Sequence, residues 1–268
     1  MGRGPVPWPR TSRVLRVSFA VAAEAYDRFM GRYSAQLAPQ LADLAGVASG
    51  QRVLDVGCGP GALTSELVQR VGAIAVSAVD PSEQFVAAAR ERHPGVDVRC
   101  AAAEELPFAD GEFDAALTQL VVHFMADPAR GLAEMTRVTR AGGVVSACVW
   151  DHEGEQTPLA WFWQAVRDFD PDAVDESELA GGREGHLAEL FAAAGLREVE
   201  DTALPVRLEH ATFEEWWESF TLGVGPAGSY VGELDSAQQV ELRELCRRRL
   251  PRAPFTVSAR AWAVRGVV

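Results

Sequence analysis

The sequence predicts an α/β fold in which a parallel sheet carries helices on both faces. Short apolar segments alternate with amphipathic helical segments over residues 51–149, which is the pattern of such sheets. A glycine-rich loop joins the first apolar segment to the helix after it. The chain has 268 residues and is 48% hydrophobic, so it can bury a large core without disulfides or metals.

The first half of the chain supplies five predicted strands. Residues 20–46 have a helical pattern with a turn near Gly31, and the strands follow at 51–56, 74–79, 96–100, 113–118 and 144–149. Helices are predicted after the glycine loop, over 82–92, and from Asp127 to about residue 140. Asp127 is a suitable N-cap for the last of these, and Pro128 suits its first turn.

The pattern becomes less regular after Trp150. Residues 153–183 are acidic and aromatic without a clean period. Helices are predicted over 186–194, 212–222 and 237–250, and strands over 197–208 and 255–264. Thr212 and Glu215 form the capping box of the second helix.

Charge and composition exclude several functions. The net charge is −13, which disfavours nucleic acid as a partner because phosphate binding needs a basic face. All 25 basic residues are arginine, so Schiff-base chemistry and a phosphate-binding loop lysine are excluded. Residues 1–17 carry four arginines and no acid, and the remainder is therefore −17. We expect residues 1–17 to be a disordered tail or an extension beyond the true gene start.

Cysteine usage and hydropathy predict the compartment. The four cysteines, Cys58, Cys100, Cys148 and Cys246, form no CxxC pair, which favours a reduced, cytoplasmic protein. No apolar run approaches the ~18 residues that suggest a membrane span. No cluster has metal-ligand spacing, so no metal is expected.

The strongest local signal is a loop with Asp55, Gly57, Gly59 and Gly61 between a strand and a helix. Glycines let backbone N–H groups approach a ligand closely. Asp80 ends the next strand, where a carboxylate can accept both hydroxyls of a ribose. The same spacing also fits an NAD(P)-binding oxidoreductase, and a glycine turn needed only for packing is a further alternative. An acid at position 55 suits a cationic amino group better than a pyrophosphate.

Four segments in order resemble one family. They read Val-Leu-Asp-Val-Gly-Cys-Gly-Pro-Gly at 53–61, Val-Asp-Pro-Ser at 79–82, Ala-Glu-Glu-Leu-Pro-Phe-Ala-Asp-Gly-Glu-Phe-Asp at 103–114 and Glu-Met-Thr-Arg-Val-Thr-Arg-Ala-Gly-Gly at 134–143. They resemble the motifs of class I S-adenosylmethionine-dependent methyltransferases, type 11 small-molecule group, which includes quinone-biosynthesis C-methyltransferases. The resemblance implies a Rossmann-like seven-stranded sheet with an antiparallel last strand, and S-adenosyl-L-methionine as cofactor.

The resemblance also implies roles for individual residues. Asp55 and the loop from Gly57 through Gly59 to Gly61 would hold the methionine end of the cofactor, and Asp80 would hold the ribose. Other residues would bind elsewhere on the cofactor: Ala103 through its N–H and Glu104 beside the adenine, and Gln119 and Leu120 near the sulfonium. Members of the family often carry Asp or Asn where this chain has Ala102, so one adenine hydrogen bond must come from elsewhere.

Five residues are weaker candidates. Tyr26, Arg32 and Tyr33 lie in a segment that resembles a leading helix closing over the cofactor; the alternative is surface packing. His123 and His152 follow the fourth and fifth strands, where open α/β sheets bind ligands, and are candidate general bases. Their alternatives are a packed histidine and an exposed loop histidine.

The remaining predictions concern organisation and function. We expect a methyltransferase domain over 18–268, with cap helices at 18–46, a cofactor-binding core at 50–150, and helical lid insertions at 153–183 and 209–253. Six of the seven tryptophans follow residue 149 and would form an aromatic lid over a small-molecule acceptor, or simply the core of a helical subdomain. The expected protein is a monomer or homodimer. Rival functions are an NAD(P)-dependent oxidoreductase, a protein that binds the cofactor without methylating, and methylation of protein or RNA.

Overall fold

The computed structural model describes residues 23–268, so the predicted tail at 1–17 lies outside the described residues. Seven strands form one sheet in the order β3-β2-β1-β4-β5-β7-β6. β1 to β5 pair in parallel, and β7 runs antiparallel to both β5 and β6. The predicted seven-stranded sheet with an antiparallel last strand is confirmed. The strands are β1 Val53–Val56, β2 Val76–Asp80, β3 Asp97–Cys100, β4 Phe113–Gln119, β5 Thr139–Trp150, β6 Arg197–His210 and β7 Phe255–Val267.

Ten α-helices surround the sheet in the described part of the chain. They are α1 Ala23–Tyr26, α2 Arg32–Leu44, α3 Ala62–Val71, α4 Glu83–Arg92, α5 Pro128–Val138, α6 Ala160–Phe169, α7 His186–Ala193, α8 Phe213–Glu218, α9 Gly225–Glu233 and α10 Ser236–Arg249. A π-helical segment, Asp27–Gly31, joins α1 to α2, so the chain stays helical where the sequence predicted a turn. None of these helices is long and apolar enough to cross a membrane.

The boundary between α5 and β5 differs from the prediction. The helix ends at Val138 and the strand begins at Thr139, whereas the strand was expected only from residue 144. Gly143 allows this early start because a Cβ there would lie 2.7 Å from the carbonyl oxygen of Asp114 on the neighbouring strand. Gly142 donates its N–H to Val268 at the far end of β7 (2.9 Å). The glycines therefore extend the sheet instead of interrupting it.

Side chains that alternate along the central strands separate the two large clusters of the core. Cys148 and Trp150 of β5 belong to one cluster, and Ala147 and Val149 belong to the other. Because successive strand residues point to opposite faces, the clusters lie on opposite sides of the sheet. The first cluster includes residues of α2, α6, α8, α9 and α10, and the second includes residues of α5 and α7.

The tryptophans of the second half lie mainly in the first of these clusters. Trp216 is 2% exposed, and Trp163 and Trp217 are also buried. Phe162 of α6 and Phe220 stack with their ring centroids 4.5 Å apart. The aromatic residues of the two predicted insertions thus form the core of a helical layer, as the second interpretation of their pattern expected.

Candidate functional site

A well-formed cavity lies at the carboxyl ends of β1, β2 and β4. Its volume is about 390 Å³, which is within the usual range for small-molecule sites. Open α/β sheets bind ligands at this edge. We call it the main cavity; it is lined by Tyr26, Gly57, Gly59, Asp80, Pro81, Ser82, Phe85, Ala102, Ala103, Glu104, Gln119, Leu120, Val121, Phe124, Met125 and Ala126.

The glycine loop forms one wall of the main cavity. The backbone N–H groups of Gly57 and Cys58 both donate to the carbonyl oxygen of Val79, at 2.8 and 2.9 Å, which ties the loop to the end of β2. Gly57 has φ +75°, and a Cβ there would lie 2.4 Å from a methyl carbon of Val121. A Cβ on Gly59 would meet nothing within 4 Å, so the backbone here borders open space in the cavity. Gly61 precedes the first residue of α3.

Asp80 lies between the loop and the start of α4. One carboxylate oxygen accepts the N–H of Gly59 and the other accepts the N–H of Ser82, both at 2.8 Å. A carboxylate has about four lone-pair sites, so two remain for a ligand. The side chain is only 7% exposed, and burial raises its pKa.

Asp55 and Gln119 meet at a narrow extension of the main cavity. Asp55 is 1% exposed and accepts a 2.6 Å hydrogen bond from the Thr64 hydroxyl, and burial raises its pKa to about 7. Gln119 donates its side-chain N–H to the Ser34 carbonyl, and its Oε1 is buried without a hydrogen-bond partner among residues 23–268. Both side chains line the extension, which Tyr26 and Gly57 also border. This end of the cavity therefore offers acceptors, and it suits a cationic or N–H-bearing group.

The opposite end of the cavity is bordered by residues 102–104. Ala103 is buried, and both Ala103 and Glu104 line the cavity. Glu104 Oε1 accepts the N–H of Asp127 (3.1 Å), so its carboxylate also ties this wall to the start of α5. Ala102 lines the cavity but brings no side-chain acceptor.

Leu120 stands at the turn after β4 in a left-handed conformation. Its φ is +62°, which is uncommon for a residue with a Cβ, and its N–H donates to Cys148 at 2.9 Å. Such backbone strain clusters at functional sites. Leu120, Tyr26 and Phe124 border the main cavity and also a second cavity of about 50 Å³. We call this the inner cavity; it is lined by Tyr26, Phe29, Met30, Leu120, His123, Phe124, Trp150, Leu159, Glu176, Gly225 and Pro226.

The three candidates Tyr26, Arg32 and Tyr33 occupy different environments. Tyr26 lines the main cavity and packs edge-on against Phe85, with 5.4 Å between ring centroids. Arg32 does not line it; its guanidinium is paired with Glu215 and donates to the Glu209 carbonyl. Tyr33 is 4% exposed and its hydroxyl lies 3.0 Å from His210 Nε2. Arg32 and Tyr33 therefore join the leading helix to the β6–α8 region, which is the packing alternative.

Neither candidate histidine lines the main cavity. His123 borders the inner cavity, and His152 borders a polar surface pocket on its far side. Each is 6% exposed, which excludes the exposed loop histidine for His152. Burial lowers the pKa of His152 to about 4 and that of His123 well below its ordinary value. Both imidazoles are therefore neutral near pH 7.

Several lining residues were not predicted. Phe85, Phe124 and Met125 carry apolar side chains that a single sequence cannot distinguish from core residues. Glu176 lies in the stretch 153–183, where no periodic pattern was present. Its one signal was an acid next to Asp175 in an aromatic segment. Among residues 23–268, no group of three or more His, Cys, Asp or Glu side chains could hold a metal ion.

The comparisons with known proteins agree with this geometry. A family model described as "Methyltransferase domain" matches residues 54–147. An uncharacterized methyltransferase of Mycobacterium tuberculosis is 36% identical over 149 residues, which cover 56% of this chain and 57% of that protein. The chain thus spans little more than half of that relative. An uncharacterized protein of the same organism is 30% identical over 234 residues, with 81% of each chain covered.

A solved structure shares the fold. It is geranyl diphosphate C-methyltransferase from Streptomyces coelicolor in complex with Mg²⁺, geranyl diphosphate and S-adenosyl-L-homocysteine. The TM-score is 0.51 at 17% identity, and the match covers 88% of this chain and 80% of the other. At this identity the likeness concerns the fold alone.

Proposed function

Because the chain belongs to the class I S-adenosylmethionine-dependent methyltransferases, we propose that it transfers the methyl group of this cofactor to a small organic acceptor. One observation carries the proposal most directly. The main cavity has a buried carboxyl at one end, a second carboxylate at the glycine loop, and an apolar wall at residues 102–103. This order matches an amino acid end, a ribose and a base.

The residues present fit the cofactor. Asp55 is a buried carboxyl whose pKa is raised by burial, and the cofactor's ammonium group would supply a cationic partner. Asp80 has lone pairs left for two ribose hydroxyls, and the N–H of Ala103 would meet the adenine edge. Gly59 leaves room that a Cβ would fill. The orphaned Oε1 of Gln119 is a further acceptor.

The cofactor supplies a methyl group on a positively charged sulfur, which is already an activated leaving group. The protein therefore contributes mainly alignment and exclusion of water, and good alignment can be worth about 7–11 kcal/mol in model systems. Leu120, Tyr26 and Phe124 separate the main cavity from the inner cavity, so they would orient the two reactants. His123 borders the inner cavity and could contact the acceptor, whereas His152 does not border it.

Two features support a small acceptor. The inner cavity is mostly apolar and enclosed by residues from both predicted lid segments, namely Leu159, Glu176, Gly225 and Pro226. The chain is strongly acidic, which disfavours RNA. A specific likeness to quinone-biosynthesis enzymes, the cytoplasmic location, and a monomeric or homodimeric state stay predictions.

Binding of S-adenosylhomocysteine, measured by calorimetry, tests the cofactor assignment. We expect the wild-type protein to bind it and to show no comparable affinity for NAD. Asp80→Ala should weaken binding by about 1–3 kcal/mol, or about 5–150-fold, because it removes charge-assisted hydrogen bonds. Asp80→Asn keeps one acceptor and should lose less.

Asp97→Ala is the matched control. Asp97 is an exposed carboxylate on β3 that pairs with Arg99, away from the cavity lining. Its loss should leave the affinity unchanged. Tight NAD binding without S-adenosylhomocysteine binding would contradict the function, and unchanged affinity in Asp80→Ala would contradict the ribose assignment. Transfer of labelled methyl from the cofactor to metabolite extract then separates methylation from mere cofactor binding.

A further inference from the structure

The inner cavity lies directly beyond the main cavity, and its far wall carries a buried acid. Its volume is about 50 Å³, so it can take the reactive end of an acceptor but not a whole acceptor molecule. Most of its lining is aromatic or aliphatic. Glu176 is the carboxyl-bearing residue in this lining, and it was not among the predicted site residues.

Glu176 is held in place by a defined contact. Its side chain belongs to a residue that is 3% exposed, and Oε2 accepts a 2.8 Å hydrogen bond from the indole N–H of Trp163. Burial raises its pKa to about 7, and the nearby charge of Asp175 adds to that effect. A carboxyl with a pKa near the working pH is suited to exchanging a proton.

The Glu176 carboxyl also borders a second, polar pocket. Glu176 lines a polar pocket of about 270 Å³, which we call the outer pocket. The outer pocket is lined by His152, Glu153, Glu155, Thr157, Ala160, Trp163, Arg167, Asp175, Glu176 and Ser177. Glu176 therefore stands between the inner cavity and a polar surface, and a proton that it accepts has a short way to solvent.

His123 supplies the second polar group of the inner cavity. It is 6% exposed, and its Nδ1 has no hydrogen-bond partner among residues 23–268. Its ring lies 5.4 Å from that of His152, centroid to centroid. Because both imidazoles are neutral near pH 7, His123 offers a hydrogen bond without a charge.

We propose that the inner cavity binds the hydroxyl-bearing end of the methyl acceptor, with Glu176 as the group that accepts the hydroxyl proton and His123 as a hydrogen-bond partner of its oxygen. This inference rests on the proposed methyl transfer. The acceptor's O–H bond breaks and its proton goes to the Glu176 carboxylate. The oxygen forms the new O–CH₃ bond, and sulfur keeps the electron pair of the C–S bond that breaks.

Charge favours a hydroxyl over the other common nucleophiles. An acceptor carboxylate would be repelled by Glu176 and would need no proton acceptor. An ammonium group would pay a large desolvation cost in an apolar cavity and would face the cationic sulfur of the cofactor. A neutral phenol or enol avoids both costs, and the aromatic walls suit a planar group.

The test uses three ring compounds of similar size, phenol, benzylamine and benzoate, titrated by calorimetry into protein saturated with S-adenosylhomocysteine. We expect phenol to bind best. Glu176→Gln should weaken phenol binding at least tenfold, because the amide cannot take the proton and is a weaker acceptor than a carboxylate. Gln can still accept the Trp163 bond, so the fold should be kept.

Glu153→Gln is the matched control, because it removes an exposed carboxylate of the outer pocket without touching the inner cavity. It should leave phenol affinity unchanged. Saturation with S-adenosylhomocysteine is measured first, so that loss of cofactor binding, which contradicts the proposed function, is separated from failure of the inner-cavity proposal. Preference for benzylamine or benzoate, no phenol binding, or equal losses in the two variants would overturn it.

The pH dependence gives a second readout. The titratable or charged residues that line the inner cavity or the outer pocket together with Glu176 are Tyr26, His123, His152, Glu153, Glu155, Arg167 and Asp175. Arg167 pairs with Asp175 and with Glu155, so its positive charge partly offsets the negative charges of these two carboxylates. Wild-type affinity for phenol should fall as pH drops through about 7, when Glu176 takes up a proton. The Glu176→Gln profile should be flat there, and a matching slope in the variant would contradict the assignment.

Discussion

Asp55 is buried and accepts a hydrogen bond from the Thr64 hydroxyl, and burial raises its pKa to about 7. Glu176 is in the same position, with Trp163 as its donor. Both carboxyls lie at cavity walls, and the two are at different ends of the site. A buried carboxyl without a cation is costly to ionise, so we expect Asp55 to gain from a ligand that supplies a cation and Glu176 from one that supplies a proton.

Cofactor binding should release a proton from Asp55. In the free protein near pH 6–7 this carboxyl is substantially protonated, and the ammonium group of S-adenosylhomocysteine should lower its pKa and expel the proton. Calorimetry at pH 6.5 in buffers of different ionisation enthalpy measures the number released. Asp55→Asn should remove this proton release and weaken binding; release that persists in the variant would contradict the role of Asp55.

At the scale of elements, α2 contacts both α8 and the end of β6. Arg32 pairs with Glu215, and the Tyr33 hydroxyl lies against His210, so both side chains are used between elements. Aromatic packing holds together the helical layer beyond this contact. The ring centroids of Trp216 and Phe220, for example, lie 4.6 Å apart. This layer brings Leu159, Gly225 and Pro226 to the inner cavity. Of its tryptophans, Trp163 lies beside Glu176, and the others pack only in the core.

Trp216→Ala should therefore destabilise the protein without a direct effect on the cofactor. The side chain is 2% exposed and does not line the main cavity, so its loss leaves a void in the core. The expected loss of unfolding free energy in urea is about 3–5 kcal/mol. Affinity for S-adenosylhomocysteine in the folded variant should stay close to that of the wild type. A specific loss of ligand affinity with unchanged stability would restore the lid interpretation.

At the scale of the molecule, several buried groups make stability depend on pH. Asp55 and Glu176 have pKa values raised from 3.8 and 4.5 to about 7, so they bind more protons in the folded state. Their contribution is complete below about pH 4 and is lost as pH rises through about 7. His123 and His152, whose pKa values are lowered, act at lower pH and in the opposite sense, since their contribution is lost as pH falls below about 6.5.

The doubly substituted protein Asp55→Asn, Glu176→Gln isolates the first pair. Unfolding free energies from urea titrations of the protein without ligand should fall more steeply between pH 5 and pH 8 in the wild type than in this variant. The physical reason is that the wild type must ionise two buried carboxyls in that interval. Parallel curves for the two proteins would show that the carboxyls do not titrate as described.

Local patterns predicted much of the fold and one side of the site. Strand and helix periods gave all seven strands and most helices, because these periods act over a few neighbouring residues. The glycine loop and Asp80 were found for the same reason, since loop geometry and strand ends are local. Helix α9 was missed: Gly225 and Pro226 make its start a poor helix former, and burial against the helical layer overrides that preference.

By itself, then, the sequence determined the order of the seven strands, the glycine loop after β1 and the family. Only the tertiary structure decided which residues line the inner cavity. Tyr26, Leu120 and Glu176 are far apart in the chain and unrelated by any period, and they meet at the inner cavity only in the folded chain. The packing role of Arg32 and Tyr33 was likewise visible only in the structure, because their partners lie far along the chain, in β6 and near α8. Long-range contacts leave no local pattern, so their chemistry is visible only after the chain has folded.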